Sequence, residues 1–224
     1  MTYVMADIHG FSDKYYDFLD SVNFCDDDTL YIVGDIIDRG SDGIPLLQDV
    51  MKRKNVISLM GNHERMILPI LEEIYYNPSD AEDIIKEEMY ISQIGQESTL
   101  QDFAELSQNE KTEILSFIKE MPIYLEISVD EQDYILVHAG LPDFDELPLE
   151  YYNEDDLLFG PHDYEINHYD NTIIIVGHLP TRFITGAIAD EIFHTNDTIA
   201  IDCGLGFGGQ LGVLCLETGE EMYF

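Results

Sequence analysis

The chain of 224 residues is long enough for one domain with a substantial core, and 45% of its residues are hydrophobic, as in ordinary globular proteins. Its 46 acidic and 10 basic residues give a formal net charge of −36, which excludes a nucleic-acid binder that relies on Lys and Arg. No apolar run approaches the ~18 residues that cross a bilayer, and the three cysteines have no CxxC spacing. We therefore expect a reduced, cytoplasmic protein without nucleic-acid or membrane partners.

The first third of the chain alternates apolar runs with amphipathic stretches. Strands are predicted at 2–6, 29–33 and 56–60, and helices at 12–22, 42–52 and 63–76. The first predicted strand begins at residue 2, so we expect no leader peptide. The βαβαβ order predicts parallel strands, and the loops that follow parallel strands share the sheet edge where ligands bind.

The rest of the chain is first helical and then β-rich. From residue 79 to about 119 the pattern is helical and acidic, which predicts an inserted helical cap within a single domain spanning 1–224. Later strands are predicted at 124–129, 134–138, 172–176, 183–189, 198–202, 210–216 and 221–224. We expect the late strands to be antiparallel, with turns at 196–197 and 218–219.

Five short segments place possible metal ligands directly after apolar strands. They are Asp7-Ile8-His9-Gly10, Gly34-Asp35-Ile36-Ile37-Asp38-Arg39-Gly40, Gly61-Asn62-His63-Glu64, His138-Ala139-Gly140 and Gly177-His178. Carboxylate, imidazole and amide oxygen together suit Mn²⁺, Fe or Zn²⁺. An extended Asp-x-His directs both side chains to one side of the strand end, so Asp7 and His9 are predicted to share one ion.

Each segment alone has an ordinary structural explanation. A lone Asp-x-His-Gly or Gly-Asn-His is more often a turn, and a lone strand-end histidine is more often a buried, hydrogen-bonded imidazole. The five segments occur together, each at the end of a predicted strand, and they contain four of the seven histidines. Their joint occurrence favours a metal centre.

Together, Asp-Ile-His-Gly, Gly-Asp-Ile-Ile-Asp-Arg-Gly, Gly-Asn-His-Glu, Val-His-Ala-Gly-Leu and Val-Gly-His resemble the signature of the calcineurin-like phosphoprotein phosphatase family. The resemblance extends from Val4 to about Arg182. It is strongest to small bacterial and phage-type serine/threonine phosphatases and to symmetrical diadenosine tetraphosphatases. It implies an α/β protein with the metallo-dependent phosphatase fold, in which two packed mixed β-sheets form a β-sandwich flanked by helices.

The resemblance also implies two divalent metal ions, with Mn²⁺ favoured over Fe or Zn²⁺. It assigns Asp7 and His9 to the first ion, Asp35 to both, and Asn62, His138 and His178 to the second. Two such ions activate water for in-line attack on phosphorus and neutralise the phosphoryl oxygens.

Other motif residues would act on the substrate. By resemblance, His63 protonates the leaving oxygen and Asp38 orients that imidazole, while Arg39 clamps the substrate phosphate, which Asn62 also approaches. Glu64 belongs to the same motif, but an acid near the positive end of a helix dipole explains its presence sufficiently.

The chain departs from the family pattern between the last two histidine motifs. Related bacterial enzymes have a Leu-Trp-x-Arg segment where this chain reads Leu157-Leu158-Phe159-Gly160-Pro161-His162, so a second phosphate-binding arginine is missing. After Lys119 the only Lys or Arg is Arg182, and we predict that it replaces this arginine. A surface pair of Arg182 with Asp190 or Glu191 is the alternative.

The activity predicted from the sequence is hydrolysis of phosphate monoesters, with a phosphorylated protein preferred over small phosphoesters as substrate. The preferred class is therefore a serine/threonine protein phosphatase. A symmetrical dinucleoside polyphosphate hydrolase is the alternative, and the shortage of basic residues counts modestly against it. A catalytically silent binding module with the same fold is a third possibility, which the intact motif residues oppose.

Overall fold

The computed structural model describes residues 1–92, 94–142 and 148–224, so Gln93 of the predicted helical insertion lies outside the described residues. The strands are β1 (Thr2–Met5), β2 (Thr29–Ile32), β3 (Val56–Ser58), β4 (Tyr124–Val129), β5 (Gln132–Val137), β6 (Thr172–Val176), β7 (Phe193–Thr195), β8 (Thr198–Ala200), β9 (Gly212–Cys215) and β10 (Glu221–Tyr223). The helices are α1 (Ser12–Ser21), α2 (Gly43–Lys52), α3 (Asn62–Tyr76), α4 (Ala81–Ile91), α5 (Glu97–Glu105), α6 (Gln108–Glu120) and α7 (Glu154–Phe159). Within these ranges, each helix is too short or too polar to cross a membrane.

Two five-stranded mixed sheets form the body of the fold. In the first, ordered β10-β9-β1-β2-β3, strands β1, β2 and β3 are parallel, while β9 and β10 are antiparallel to their neighbours. In the second, ordered β4-β5-β6-β8-β7, strands β5, β6 and β8 are parallel and the two edge strands are antiparallel. The predicted α/β fold with two mixed sheets and flanking helices is confirmed.

Alternate residues of each strand face opposite sides, so one strand contributes to two cores. Val4 of β1 and Leu136 of β5 lie in the core between the sheets. Met5 of β1 lies in the core between the first sheet and its helices, and Val137 of β5 lies in the core on the outer face of the second sheet. Because both faces are buried, these strands read as continuous apolar runs in the sequence.

The predicted helical insertion forms α4, α5 and α6. Leu100 and Phe103 of α5 and Ile114 of α6 are buried in the same core as Met5 of β1. The insertion therefore packs against the outer face of the first sheet as part of the helical layer.

Two predictions about the last part of the chain are wrong. Residues 183–189 do not form a strand, because Thr181–Phe183 is a 3₁₀ turn and Gly186 has a left-handed φ of 93°, which interrupts an extended run. The late strands are also not all antiparallel. The β7–β8 and β9–β10 pairs are antiparallel, but β6 pairs with β8 in parallel.

Candidate dinuclear metal centre

The metal-ligand motifs meet at one edge of the sandwich, where β1, β2, β3, β5 and β6 end. The N–H of His9 donates to the carbonyl of Asp35 at 3.0 Å, which joins the loops after β1 and β2. The N–H of Gly177 donates to the carbonyl of His138 at 2.8 Å, which joins the loops after β5 and β6. Parallel strands in both sheets thus bring together motifs that are far apart in the sequence.

Six of the predicted site residues have left-handed backbone conformations, which non-glycine residues seldom adopt. They are Asp7 (φ 53°), His9 (φ 51°), Asp35 (φ 54°), Asp38 (φ 70°), Arg39 (φ 64°) and His178 (φ 65°). Such strain costs ~1–3 kcal/mol per residue and is retained where the surroundings fix a functional site.

The left-handed backbone corrects our explanation of how Asp7 and His9 meet. Strand β1 ends at Met5, so Asp7 and His9 do not belong to an extended strand end. The curled loop nevertheless brings Asp7 Oδ1 to 3.9 Å from His9 Nε2.

Asp35 lies between two groups of potential metal ligands. Its Oδ2 is 3.8 Å from His9 Nε2 and 4.0 Å from His63 Nε2, and its Oδ1 is 3.5 Å from His138 Nε2. One group consists of His9, Asp35 and His63, and the other of Asp35, His138 and His178, with the ligand atoms of each group within 4.8 Å of one another. Asp35 belongs to both groups, in the position expected of a bridging carboxylate.

Backbone carbonyls determine which nitrogen two of these histidines present to the site. His9 Nδ1 is 3.1 Å from the carbonyl of Ile37, and His138 Nδ1 is 2.8 Å from the carbonyl of Val33. A carbonyl only accepts hydrogen bonds, so both Nδ1 atoms carry hydrogen and Nε2 is the nitrogen that each ring presents to the site. This second interaction through the other ring nitrogen is typical of metal-ligating histidines.

Asn62 lies with the second group. Its Oδ1 is 2.8 Å from His138 Nε2 and 2.9 Å from His178 Nδ1. The Asn62 amide oxygen, His138 Nε2 and the Asp35 carboxylate therefore converge, and this combination of ligand atoms suits a divalent cation.

Burial keeps the imidazoles of His9 and His178 neutral, the form that binds metals. It lowers the pKa of His9 to about 3 and that of His178 to about 4. Burial, and after it the charge of Asp202, raises the pKa of Asp7 well above its ordinary value. Among the described residues, Asp7 Oδ1 has no hydrogen-bond partner. Neutral imidazoles beside a buried, unpartnered carboxylate oxygen fit a divalent metal centre.

His63 lies between Asp38 and Arg39. Its Nδ1 is 2.7 Å from Asp38 Oδ2, and its Nε2 is 3.3 Å from Arg39 Nη2. Burial alone would lower the pKa of His63, but the hydrogen bond with Asp38 and the charges of Asp35 and Asp38 outweigh it and raise the pKa. A carboxylate-held imidazole with a raised pKa is suited to protonating a leaving group.

The loop that carries Asp38 and Arg39 is supported by residues far away in the sequence. The N–H of Asp38 donates to Thr99 Oγ1 at 3.1 Å, and the N–H of Arg39 donates to the carbonyl of Gly95 at 2.6 Å. The Arg39 guanidinium lies 4.3 Å from the centre of the Phe207 ring. The helical insertion and the C-terminal region thus both hold this loop.

Glu64 has a structural role that sequence reasoning missed. Its buried carboxylate accepts hydrogen bonds from the N–H groups of Ile36 at 2.8 Å, Gly61 at 2.9 Å and Asp35 at 3.0 Å. Burial, and after it the charge of Asp35, raises the pKa of Glu64 to about 7. Glu64 therefore ties the loop after β2 to the loop after β3. Its capping-box spacing from Gly61 is the sequence signal that could have indicated this role.

Arg182 is engaged outside the cluster. Its Nε and Nη2 donate to the two carboxylate oxygens of Asp190 at 2.6 Å and 2.7 Å, and its Nη1 donates to the carbonyl of Phe207 at 3.2 Å. Arg182 and Arg39 thus contact the same turn through different groups of Phe207. Phosphate binding by Arg182 stays a prediction, and its geometry favours the alternative, a surface ion pair.

The family model of the calcineurin-like phosphoesterases matches residues 2–203. The chain belongs to this family.

The relatives of this chain are named for different enzymatic activities. The chain is 29% identical to a symmetrical bis(5'-nucleosyl)-tetraphosphatase of Wigglesworthia glossinidia brevipalpis over 62% of this chain and 44% of the relative. It is 29% identical to serine/threonine-protein phosphatase 2 of Salmonella typhimurium over 63% of this chain and 59% of the relative. These two matches span less than two thirds of each relative.

A third match extends over most of both chains. The chain is 25% identical to the asymmetrical bis(5'-nucleosyl)-tetraphosphatase PrpE of Halalkalibacterium halodurans over 94% of this chain and 88% of the relative. Among solved structures, a metallophosphoesterase from Sphaerobacter thermophilus has a TM-score of 0.57 at 13% identity, covering 99% of this chain and 86% of that one. This structural likeness concerns the fold alone.

Proposed function

We propose that the protein hydrolyses phosphoanhydride bonds of bis(5'-nucleosyl) tetraphosphates at a two-metal centre. The observation that carries the reaction type is the position of Asp35, which belongs to both groups of ligand atoms. A carboxylate in this position supports two ions close together, the arrangement used for in-line displacement at phosphorus.

The residues that would hold the two ions are Asp7 and His9 for the first, Asp35 for both, and Asn62, His138 and His178 for the second. When bound, such ions lower the pKa of water and neutralise phosphoryl oxygens. Mn²⁺ stays the predicted metal, with Fe and Zn²⁺ as alternatives. The cytoplasmic location and the lack of nucleic-acid and membrane partners also stay predictions.

The chain's own side chains supply positioning and proton transfer. Asp38 accepts the Nδ1 hydrogen of His63 and so keeps the imidazole facing the cluster. His63 would donate a proton to the leaving oxygen as the P–O bond breaks. Arg39, next to His63 Nε2, would bind phosphoryl oxygens through its paired N–H groups.

The preference for a dinucleoside polyphosphate is supported by the relatives. The match to the tetraphosphatase PrpE extends over 94% of this chain, and the match to the symmetrical enzyme covers 62%. The second candidate is a serine/threonine protein phosphatase, the activity preferred from the sequence. It is supported by the match to serine/threonine-protein phosphatase 2 and by the shortage of basic residues for binding several phosphates.

A substrate panel tests the proposal. Mn²⁺-loaded protein is assayed with diadenosine tetraphosphate, a phosphoserine peptide and p-nitrophenyl phosphate. We expect kcat/KM for the tetraphosphate to exceed that for the peptide by about tenfold or more. The reverse order would support the phosphatase, and hydrolysis of none of the three would support the silent binding module. Products of ADP alone, or of ATP with AMP, would distinguish symmetrical from asymmetrical cleavage.

A further inference from the structure

A cavity of about 370 Å³ lies against the loop that follows β6. It is lined by Leu179 and the turn that carries Phe183 and Ile184, and also by Pro161 and Tyr164. Leu179 directly follows His178, a residue of the second ligand group. The cavity is therefore one residue away from the cluster along the chain.

Aromatic and cationic side chains also link the cavity to the site. The rings of Phe183 and Phe207 lie edge to face with their centres 6.2 Å apart. The Arg39 guanidinium also lies against Phe207, 4.3 Å from the ring centre, and Arg39 Nη2 lies 3.3 Å from His63 Nε2. A ligand that spans the cavity and the cluster would pass along this row of side chains.

The chemistry of the walls selects the kind of group that the cavity would accept. Proline, leucine, isoleucine and aromatic side chains offer flat apolar surface, and Phe183 is 61% exposed. Asp163 and Glu165 also line the cavity, whereas none of its lining residues among those described is Lys or Arg. Such walls oppose a phosphate group and favour an uncharged group that has a flat ring and hydrogen-bond donors.

We propose that this cavity binds the nucleoside end of a substrate whose phosphates lie at the metal cluster. This inference rests on the proposed function, because a dinucleoside polyphosphate has uncharged nucleosides at the ends of an anionic chain. The base would stack on the apolar walls, and its amino group and the ribose hydroxyls would donate to Asp163 and Glu165. A cavity of this size matches a base with its ribose.

Two variants and a matched control separate the cavity from the cluster. Thr185 is exposed at the cavity wall, so Thr185→Trp fills the cavity without disturbing the core. Phe183→Ala removes the exposed aromatic face. Ile188 is 66% exposed and is not a wall of the cavity, so Ile188→Ala controls for loss of an exposed apolar side chain.

The measurement is the Kd of ADP and of pyrophosphate by calorimetry, with Mn²⁺ in equal excess in cell and syringe. The two ligands share a diphosphate and differ by the adenosine. We expect wild type and Ile188→Ala to bind ADP more tightly than pyrophosphate by about 5- to 150-fold, the range of base stacking. In Thr185→Trp and Phe183→Ala this preference should fall towards one, with the Kd of pyrophosphate unchanged.

Equal Kd values for ADP and pyrophosphate in wild type would overturn the inference, as would an unchanged preference in both cavity variants. The proposed function fails separately, through absence of tetraphosphate hydrolysis. An ADP preference without tetraphosphate hydrolysis would still support a nucleoside in the cavity. Tetraphosphate hydrolysis without an ADP preference would leave the proposed function standing and refute the cavity's role.

Discussion

His63 Nδ1 lies 2.7 Å from a carboxylate oxygen of Asp38, and both side chains are almost completely removed from solvent. Because carboxylate oxygens only accept, Nδ1 carries the hydrogen and Nε2 is the nitrogen that faces the cluster. The same Asp38 is held by its N–H bond to Thr99, so the orientation of His63 depends on the helical insertion as well as on the motif loops.

This geometry predicts that the loss of activity in His63→Ala depends on the leaving group of the substrate. General acid catalysis contributes ~10²–10⁴-fold when the departing oxygen needs a proton, so hydrolysis of a phosphoserine ester should fall by this amount. Hydrolysis of p-nitrophenyl phosphate should fall much less, because nitrophenolate leaves without protonation. His194→Ala is the matched control, since His194 makes a 2.8 Å pair with Glu221 at the exposed β7 strand. Equal losses on both substrates would remove the acid role from His63.

Glu64→Gln should lower the stability of the protein and weaken metal binding at the candidate metal centre. The amide nitrogen of Gln cannot accept the hydrogen bonds that the carboxylate receives from Asp35, Ile36 and Gly61. An unsatisfied buried N–H costs ~1–3 kcal/mol, so we expect the free energy of unfolding to fall by at least this amount and Mn²⁺ to bind more weakly. Denaturant unfolding and metal titration measure both effects.

The control for Glu64 is Glu217→Gln. Glu217 also accepts a backbone N–H, that of Thr2 at 2.8 Å, but at the start of β1. This variant should leave the Mn²⁺ affinity unchanged. Wild-type metal affinity in Glu64→Gln would show that the bonds of Glu64 do not position the ligands.

Replacement of Arg39 and of Arg182, which both contact Phe207, should have different effects on kcat/KM. Arg39→Ala should lower kcat/KM by a charge-assisted contact, about 10- to 150-fold, because its guanidinium lies beside His63. Arg182→Ala should leave kcat/KM within about twofold, because both carboxylate oxygens of Asp190 already pair with its guanidinium, outside the cluster. A large loss in Arg182→Ala, with metal content intact, would restore the phosphate role predicted from the sequence.

His162 should make stability depend on pH. Burial, and after it the neighbouring His168, lowers the pKa of His162 to about 3 from its ordinary 6.5. Its Nδ1 accepts the N–H of Leu141 at 3.1 Å, a bond that protonation destroys. Between these pKa values the unfolded chain binds the extra proton, so this contribution is complete above pH 6.5 and is lost as the pH falls towards 3.

The variant His162→Asn isolates this contribution from the many carboxylates, since its amide oxygen can accept the same N–H without titrating. The difference in unfolding free energy between wild type and variant should change by up to ~1.4 kcal/mol per pH unit below pH 6.5, to the disadvantage of wild type. Urea unfolding of both proteins at several pH values measures this difference in unfolding free energy. A difference that stays constant from pH 7 to pH 4 would mean that His162 is protonated at little cost in the folded protein.

The fold and the site were predictable where the signal is local. Asp7, Asp35, Asn62, His138 and His178 each follow an apolar run within a few residues, and parallel strands bring such loops to one edge. Several strands were predictable because both of their faces are buried, so their apolar runs are continuous and clear. Their arrangement as a β-sandwich was implied by the family resemblance.

The features of the site that the sequence could not show depend on contacts between residues far apart in the chain. The bonds of Thr99 and Gly95 to the loop at Asp38 and Arg39 join segments about 60 residues apart, and no periodic pattern records them. The left-handed conformation of Asp7 and His9 in the loop after β1 leaves no periodic pattern in the sequence. Strand β7 has three residues, too few to produce an alternating pattern.

The most direct test of the two-metal centre is metal content and activity measured together in wild type and Asp35→Asn. Asp49→Asn serves as control, because Asp49 pairs with Arg53 on α2, away from the cluster. We predict about two Mn²⁺ per wild-type chain, loss of activity with chelator and recovery with Mn²⁺. Asp35→Asn should lose metal and most activity, while Asp49→Asn retains both. Full activity of the metal-free protein, or normal metal content and activity in Asp35→Asn, would contradict the shared role of Asp35.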